Sequence, residues 1–419
     1  MLAELLFLGI SLVAASEGKH WALVVAGSSG WYNYRHQADT CHAYQILHKN
    51  GIPDENIVVM MYDDIANNTQ NPTPGVIINK PWGGNVYDGV LKDYTKEDVT
   101  PKNFLNILKG DKQAMSGIGS GKVIDSGPND HVFVYFTDHG APGLIAFPES
   151  ELMANDLIDA LNEMSEKKKF SRMVFYLEAC ESGSMFDKKL KDNINGMSAW
   201  VSVCKAPPYF FSITYVNDVD LQVDLNKESL LKQFQIVKQE TNTSHVMQYG
   251  ELDWDSEVLE DYQGEGSGKG SGISPEEYKG EPITDAVPVP DVHLKTLQNR
   301  LRDTASWEER QKIVHEIEEL YELKEEIRKT MELIVEHCVS SDDQKMRVLK
   351  TKAEPQDFDC YKKAVKTFSK NCYNLGKNEH ALRHVYALSN LCEENIEAEV
   401  IVSAIKEQCG EGKPDGLQF

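Results

Sequence analysis

Two residues with the chemistry of a thiol nucleophile and its base follow two apolar runs of this 419-residue chain. His139 comes after the run 131–136, and Cys180 comes after the run 173–177. A thiolate is the reactive form of cysteine, so a catalytic cysteine needs a base or a cation beside it. The two residues are 180 − 139 = 41 positions apart, a length that suits one strand–helix–strand repeat and predicts neighbouring strand ends.

Small residues beside this pair suit acyl-transfer chemistry. Gly140 and Gly183 would allow a substrate backbone to approach closely. The backbone amides of Gly140 and Cys180 would point at a developing oxyanion. The alternative is that Cys180 is a small buried apolar residue and His139 an ordinary hydrogen-bonded histidine, and the pattern alone leaves that alternative open.

The elements around the pair predict an α/β fold. Residues 37–49 and 151–168 have helical periodicity, and they alternate with short apolar runs that are typical of buried parallel strands. This alternation predicts a doubly wound, mostly parallel sheet with helices on both faces. Ligands bind beyond the carboxyl ends of the strands in such sheets. The predicted strands are 21–27, 56–62, 131–136 and 173–177.

The chain divides into four predicted segments. Residues 1–16 are an apolar run with a small-residue end, which is typical of a signal peptide, although a buried N-terminal strand is the alternative. Residues 17–250 form the α/β unit. Residues 251–290 are rich in Glu, Asp, Gly, Ser and Pro and predict a flexible linker. Residues 291–419 are helical, with a capping box at 306–309 before an apolar stripe that predicts a helix-packing face.

Composition narrows the classes of function. The net charge is −23 and the pI is near 5.0, which argues against a nucleic-acid partner or an anionic membrane surface. After residue 16 no apolar stretch is long enough for a membrane span. Glycosylation sequons at Asn67 and Asn242 suit a chain that enters the secretory pathway and works in a lysosome, an endosome or another acidic compartment, or after secretion.

Cysteines are concentrated in the helical tail. In an exported chain the four tail cysteines predict two disulfides, and spacing alone allows three pairings. Their spacing does not fit a zinc site, so neither a metal nor another cofactor is expected. The tail cysteines are Cys360, Cys372, Cys392 and Cys409.

Several stretches together resemble the legumain family, the asparaginyl endopeptidases. In the α/β unit they are residues 26–39, 136–140, 178–185 and 243–250. The helical tail resembles the legumain prodomain through residues 359–361, 381–384 and 390–392.

This resemblance implies a fold, a site and an activity. It implies a caspase-like sheet followed by an all-α, death-domain-like prodomain. His139 and Cys180 would be the catalytic dyad, with Asn33 orienting His139. The enzyme would cleave proteins and peptides after Asn, and more slowly after Asp. The implied disulfides are Cys360–Cys392 and Cys372–Cys409, and the resemblance also implies a monomer and cystatin-type inhibitors as partners.

The resemblance also places a pocket for an Asn side chain. An Asn side chain offers one carbonyl acceptor and two amide donors, so its pocket needs a cation and an anion in fixed places. Arg35 and Glu178 match the family positions that supply them, and His36 lies beside Arg35 in the sequence. Without the family, an exposed ion pair would be the simpler interpretation of Arg35.

The tail implies regulation of this site. Arg383 and His384 match the prodomain helix that covers the active site near the position of Glu181 in legumains. We expect Arg383 to pair with site carboxylates at neutral pH and acid to loosen that contact. Self-cleavage after Asn299 or Asp303 would then remove the tail.

One segment departs from the family. Residues 196–224 lack the pocket Asp that legumains place there, and Cys204 is a candidate unpaired thiol. Residues 200–204 are expected to form a substitute strand. The alternatives to an active legumain-like enzyme are the catalytic subunit of a GPI transamidase and a catalytically inactive relative that acts as a binding or inhibitory protein.

Overall fold

The structure is a computed structural model that describes residues 18–80, 83–191, 194, 197–203, 225–240, 245–252, 256–264, 287 and 289–410. The predicted signal peptide, Asn242, Cys204 and most of the atypical and linker segments lie outside these residues. Among the helices that the structure describes, none combines the length and the apolar character that a membrane crossing requires.

Two sheets form the larger of the two units. The strands are β1 (His20–Ala26), β2 (Ile57–Met60), β3 (His131–Thr137), β4 (Gly140–Ala141), β5 (Leu144–Phe147), β6 (Ser150–Met153), β7 (Arg172–Ala179), β8 (Met197–Val203) and β9 (His245–Gly250). The main sheet has the order β2-β1-β3-β7-β8-β9, with antiparallel pairing only between β8 and β9 among these strands. Strands β4, β5 and β6 form a small antiparallel sheet.

Helices cover both faces of the main sheet. They are α1 (Tyr34–Lys49), α2 (Pro101–Lys109), α3 (Ala154–Glu166), α4 (Leu230–Glu240) and α5 (Glu260–Gln263). The apolar core on one face includes side chains of α2 and α3, and the core on the other face includes side chains of α1, α4 and α5. Strands β1, β2, β3 and β7 are buried almost throughout, because both of their faces are covered.

The predicted fold class is confirmed, and one helix begins later than predicted. Residues 151–153 belong to β6, so the predicted helix over 151–168 begins only at Ala154. Beyond residue 250, Tyr262 is buried against the sheet, and its ring stacks on His131 with the centroids 5.6 Å apart. Of the substitute strand expected over 200–204, residues 200–203 belong to β8, and Cys204 lies outside the described residues.

A helical domain (residues 289–410) forms the second unit. Its helices are α6 (Val292–Asp303), α7 (Trp307–Cys338), α8 (Asp342–Lys350), α9 (Phe358–Asn371), α10 (Glu379–Leu382), α11 (Tyr386–Glu393) and α12 (Ala398–Cys409). The predicted capping box begins α7, where the Ser306 side chain accepts a hydrogen bond from the Glu309 amide at 3.3 Å. Disulfides Cys360–Cys392 and Cys372–Cys409 are both formed.

The helical domain packs on the small sheet beside the ends of the main strands. Ala141, Leu144, Ala146 and Met153 share one buried apolar cluster with side chains of α9, including Tyr361 and Phe368. Lysines of the helical domain contact carboxylates of the α/β unit around this cluster. These ion pairs are Lys352–Glu181 at 2.6 Å, Lys362–Asp156 at 2.6 Å and Lys377–Glu149 at 2.5 Å.

Candidate active site

Strand register brings the predicted nucleophile and base together. In the parallel β3–β7 pair, Thr137 lies opposite Glu178. Continuing this register by two residues places His139 opposite Cys180 at the carboxyl edge of the sheet. The Asp138 amide donates to the Glu178 carbonyl oxygen at 3.0 Å, which extends the pairing toward the site.

The side chain of Asn33 is hydrogen-bonded to His139. Nε2–H of His139 donates to Oδ1 of Asn33 at 2.8 Å, while Nδ2 of Asn33 donates to the Ser29 carbonyl oxygen at 2.8 Å and so fixes the amide orientation. Nδ1 is then the ring nitrogen left to exchange a proton with the thiol. Burial and the nearby charge of Arg35 hold the pKa of His139 well below its usual value, so the ring is neutral in this arrangement.

The chain at Gly140 is packed tightly against the nucleophile. A Cβ at this position would lie 2.3 Å from the Cys180 carbonyl oxygen and 3.2 Å from the Ala179 side chain. Only glycine allows the segment after His139 to approach the segment at Cys180 this closely. The two backbone amides expected to form an oxyanion hole are therefore held on adjacent segments.

Arg35 and Glu178 both lie at this edge of the sheet. Nη1 of Arg35 donates to the Tyr32 carbonyl oxygen at 3.1 Å, and buried Nη2 has no hydrogen-bond partner among the described residues. Oε2 of Glu178 accepts from the Tyr135 hydroxyl at 3.0 Å. A buried guanidinium nitrogen without an acceptor and a nearby carboxylate are suited to bind a ligand that carries both an acceptor and a donor.

His36 packs beside His139. Its Nδ1 lies 2.6 Å from the Ser28 hydroxyl, and its ring meets the ring of His139 edge-on with the centroids 5.0 Å apart. Burial, with the charges of Arg35 and His139, keeps the pKa of His36 well below its usual value. The carboxyl of Asp138 lies 3.7 Å from His36 Nδ1, and its own pKa is well raised by burial.

Comparison with known proteins decides the family. The model of the peptidase C13 family matches residues 20–265, and the model of the legumain prodomain matches residues 315–409. Legumain of Bos taurus is 46% identical over 408 residues, covering 94% of this chain and 93% of that protein. Legumain of Homo sapiens is 45% identical over 406 residues, covering 92% of this chain and 93% of that protein. The chain belongs to the peptidase C13 family.

A plant relative also matches over most of the chain. The vacuolar-processing enzyme delta-isozyme of Arabidopsis thaliana is 39% identical over 432 residues, covering 94% of this chain and 91% of that protein. The chain is therefore a cysteine-type endopeptidase of the C13 family, and the prodomain match identifies residues 315–409 of its helical domain as a prodomain. The legumain resemblance in the sequence is confirmed, and with it the enzyme class.

An acidic residue of the prodomain lies beside His139. Oε1 of Glu379, the first residue of α10, lies 3.9 Å from Nδ1 of His139, on the side of the ring that would face the thiol. This buried oxygen has no hydrogen-bond partner among the described residues. Burial raises the pKa of Glu379 to about 7, although the charges of Arg35 and Arg383 act in the opposite direction.

The residues expected to make the prodomain contact are placed differently. Arg383 is exposed, and His384 is half-buried with its ring edge-on to His380. Glu181, which adopts a left-handed backbone conformation directly after the nucleophile, forms its ion pair with Lys352. The prodomain thus reaches the site through Glu379 and Lys352. Glu379 lies four residues before Arg383, and Lys352 belongs to a different segment.

A second contact of the helical domain lies on the loop that carries Asn33. The ring of His293, in the first turn of α6, stacks on Tyr32 with the centroids 3.6 Å apart. Burial lowers the pKa of His293 to about 4, with smaller contributions from Lys324 and Arg300. Sequence reasoning missed this contact and Glu379, because nothing in either residue's neighbours indicates that it faces the site. The only available signal was that Glu379 and Arg383 are one helical turn apart.

Proposed function

We propose that this protein is an asparaginyl endopeptidase, stored as a zymogen, that cleaves after Asn and more slowly after Asp. The observation that carries the proposal is Nη2 of Arg35, a buried donor without an acceptor at the edge of the sheet where Cys180 lies. A side-chain carbonyl of the substrate would satisfy this donor. Glu178 would accept a hydrogen bond from the substrate amide, so the pocket would favour Asn over apolar side chains.

An Asp side chain fits the same pocket less well. Its ionised carboxylate would pair with Arg35 but would meet the carboxylate of Glu178 at like charge. Protonation of the substrate Asp restores a donor toward Glu178, which favours cleavage after Asp at acidic pH. The pocket Asp that legumains carry in the segment matched by residues 196–224 is not part of this proposal.

The dyad would hydrolyse the peptide in two steps. Cys180 gives its proton to Nδ1 of His139, and the thiolate attacks the substrate carbonyl carbon. The carbon–nitrogen bond breaks, the leaving amine takes the proton from His139, and a thioester remains. Water then loses a proton to His139 and attacks the thioester, which releases the acid and restores the thiol. The amides of Gly140 and Cys180 would stabilise the oxyanion of both steps.

The prodomain supports storage as a zymogen. Glu379 occupies the space in front of His139 Nδ1, where the thiol and substrate must meet. His293 is held neutral against Tyr32 in the closed form. Because an undocked histidine takes up a proton in acid while a buried one does not, falling pH weakens this contact. Glu379, whose pKa burial raises to about 7, acts in the opposite direction, so acid-triggered opening needs further docking groups that respond to acid as His293 does.

The exposed connection between α6 and α7 suits self-cleavage. Asn299 lies inside α6. A protease site binds an extended backbone, and the helix prevents Asn299 from adopting that conformation. Asp303 is the exposed last residue of α6, and Thr304 after it is extended, with φ −82° and ψ 132°. We therefore place the activation cleavage after Asp303.

The compartment follows from the same features. An enzyme opened by acid would work in a lysosome, a vacuole or another acidic part of the secretory pathway, in line with the name of its vacuolar-processing relatives. Asn67 is exposed in a loop of the α/β unit, so it is open to glycosylation there. The signal peptide over residues 1–16 is part of this proposal.

A peptide-cleavage assay tests the proposal. The full chain, treated at acidic pH, is expected to cleave peptides with Asn before the scissile bond faster than matched Asp peptides, and not to cleave matched Leu peptides. Cys180→Ala is the control and should have no activity. Equal cleavage of the Asn and Leu peptides would refute the pocket assignment. Absence of cleavage in both chains, with the prodomain removed, would favour an inactive binding protein.

A further inference from the structure

A carboxylate outside the dyad holds the loop that carries Asn33 at both of its ends. Asp64 lies in the connection that follows β2, at the same edge of the sheet as the active site. Its Oδ2 accepts a hydrogen bond from the Gly30 amide at 2.7 Å, and its Oδ1 accepts one from Nε2 of Gln37 at 2.6 Å. Gly30 precedes Asn33 and Gln37 follows it, so one side chain spans the loop.

The contact at Gly30 fixes the conformation of the turn. Gly30 has φ 89° and ψ 152°, a region that glycine enters and other residues avoid. Its carbonyl oxygen accepts a hydrogen bond from the Asn33 amide at 3.0 Å, so Gly30 and Asn33 are the two ends of one tight turn. A hydrogen bond that a backbone amide such as that of Gly30 donates to a carboxylate is of the stronger kind.

The contact at Gln37 fixes the start of α1. Gln37 is only 1% exposed, so its amide has little access to water and depends on Asp64 as an acceptor. Its Oε1 has no hydrogen-bond partner among the described residues. Asp64 therefore joins the turn before Asn33 to the helix after it, and the turn in turn aims the Asn33 amide at His139.

We propose that Asp64 is a positioning residue for proton transfer, which orients His139 through the turn from Gly30 to Asn33 without touching the substrate. This proposal rests on the cysteine-protease chemistry of the proposed function. In the Asp64→Ala variant, the Gly30 amide and the Gln37 amide lose their acceptor, and the turn relaxes. A displacement of about 1 Å at a catalytic group costs up to about 100-fold in rate.

The expected effect of Asp64→Ala is a fall in kcat of about 10- to 100-fold. Because Arg35 lies between the two residues that Asp64 holds, KM for Asn peptides is expected to rise as well, and the test of positioning is the change in kcat. Asp64→Asn is expected to restore most of the activity. Its Oδ1 still accepts from Gly30, and its Nδ2 can donate to the unpartnered Oε1 of Gln37 once that amide rotates. A role that needs only the charge of Asp64 would give no such rescue.

Asp63→Asn is the matched control. Asp63 is the adjacent carboxylate, and its Oδ1 accepts from the Tyr87 hydroxyl at 2.8 Å, away from the turn. The variant makes the same change in charge next to Asp64, and we expect unchanged kcat. Every chain is matured by the same acid treatment, with added wild-type enzyme where self-processing fails, and rates are divided by the titrated active-site concentration.

The rate at which iodoacetamide alkylates Cys180, measured against pH, is the second readout. It reports the thiol–imidazole pair without any peptide, so it is independent of the proposed Asn specificity. We expect the reactive limb of the profile to move to higher pH in Asp64→Ala and not in Asp64→Asn or Asp63→Asn. If Asp64→Ala shows wild-type kcat and a wild-type alkylation profile per active site, Asp64 does not position His139. If Asp64→Asn is as impaired as Asp64→Ala, the two-point hydrogen-bond role is wrong.

Discussion

Replacing His293 by Phe should make opening of the prodomain less sensitive to acid. Phenylalanine keeps an aromatic ring against Tyr32 but cannot take up a proton. In the closed form burial lowers the pKa of His293 from 6.5 to about 4. Its ring stacks on Tyr32, and the nearby cations Lys324 and Arg300 oppose its protonation.

The direction and the size of this pH effect on closure follow from proton linkage. Above pH 6.5 His293 is neutral in both the closed and the open form and contributes nothing to the pH dependence. As pH falls from 6.5 toward 4, the open form binds a proton that the closed form excludes, so closure is weakened. At pH 5 this amounts to about 2 kcal/mol, or roughly a 30-fold change in the ratio of open to closed forms. His293→Phe removes this contribution.

Hydrogen exchange measures the opening. In the full chain carrying Cys180→Ala, which cannot cleave itself, amides of the segment Trp31–Asn33 exchange when α6 leaves Tyr32. The free energy of protection of this segment, corrected for intrinsic exchange, should fall between pH 7 and pH 5 in the chain with His293. This fall should be about 2 kcal/mol larger than the fall in the His293→Phe chain. His315→Phe is the control, because His315 is an exposed residue of α7. Equal pH dependence in the His293 and His293→Phe chains would show that this histidine does not drive opening.

Three further changes have expected outcomes. Glu379→Gln should stabilise the closed form by about 2 to 3 kcal/mol at pH 7.5 and by less than about 1 kcal/mol at pH 5. The reason is that the raised pKa of Glu379 makes its ionised form oppose docking as pH rises through 7. The same hydrogen-exchange measurement checks this change. Gly140→Ala should lower kcat by about 100-fold in folded enzyme, because its Cβ would displace the Cys180 carbonyl, and wild-type kcat would contradict that packing. Replacing Cys372 and Cys409 by Ser should destabilise the helical domain by about 3 to 4 kcal/mol, and a calorimetric transition at the wild-type temperature would refute it.

The proposed acid activation is expected to be a balance of opposing contributions to docking rather than a single switch. Glu379 favours closure as pH falls from about 7 toward its ordinary value of 4.5, while His293 disfavours closure below 6.5. The two contributions are similar in size and opposite in sign. The zymogen is therefore expected to stay closed through mild acidification, and to open only where further carboxylates of the docking surface lose their charge.

The fold followed from local patterns. The apolar runs that predict buried strands and the periodic stripes that predict packed helices are set by neighbours in sequence, and both appear in β1, β3, β7 and α7. His139 and Cys180 could be paired from the sequence because parallel strands of one sheet end at the same edge. Element boundaries were less secure, as at β6, where a strand precedes the helix that begins at Ala154.

The contacts of the prodomain could not be read from the sequence. Which side chain of α10 reaches His139 depends on how the helical domain sits on β4, β5 and β6, and that position is set by the apolar cluster around Tyr361 and Phe368. Family resemblance indicated Arg383, whereas the docked orientation presents Glu379. Long-range packing decides such contacts, and no local pattern encodes it.

By itself the sequence determined the chemistry of this protein: a thiol, an imidazole and an amide at strand ends, the guanidinium of Arg35 and a cysteine-linked helical tail. Only the tertiary structure decided how that chemistry is held and restrained. Asp64 holds the turn of Asn33 across a gap in sequence, and Glu379 and His293 cover the site with groups whose pKa values are shifted by burial. Residue type fixes what a group can do, but burial and partners, which are properties of the folded chain, fix when it does so.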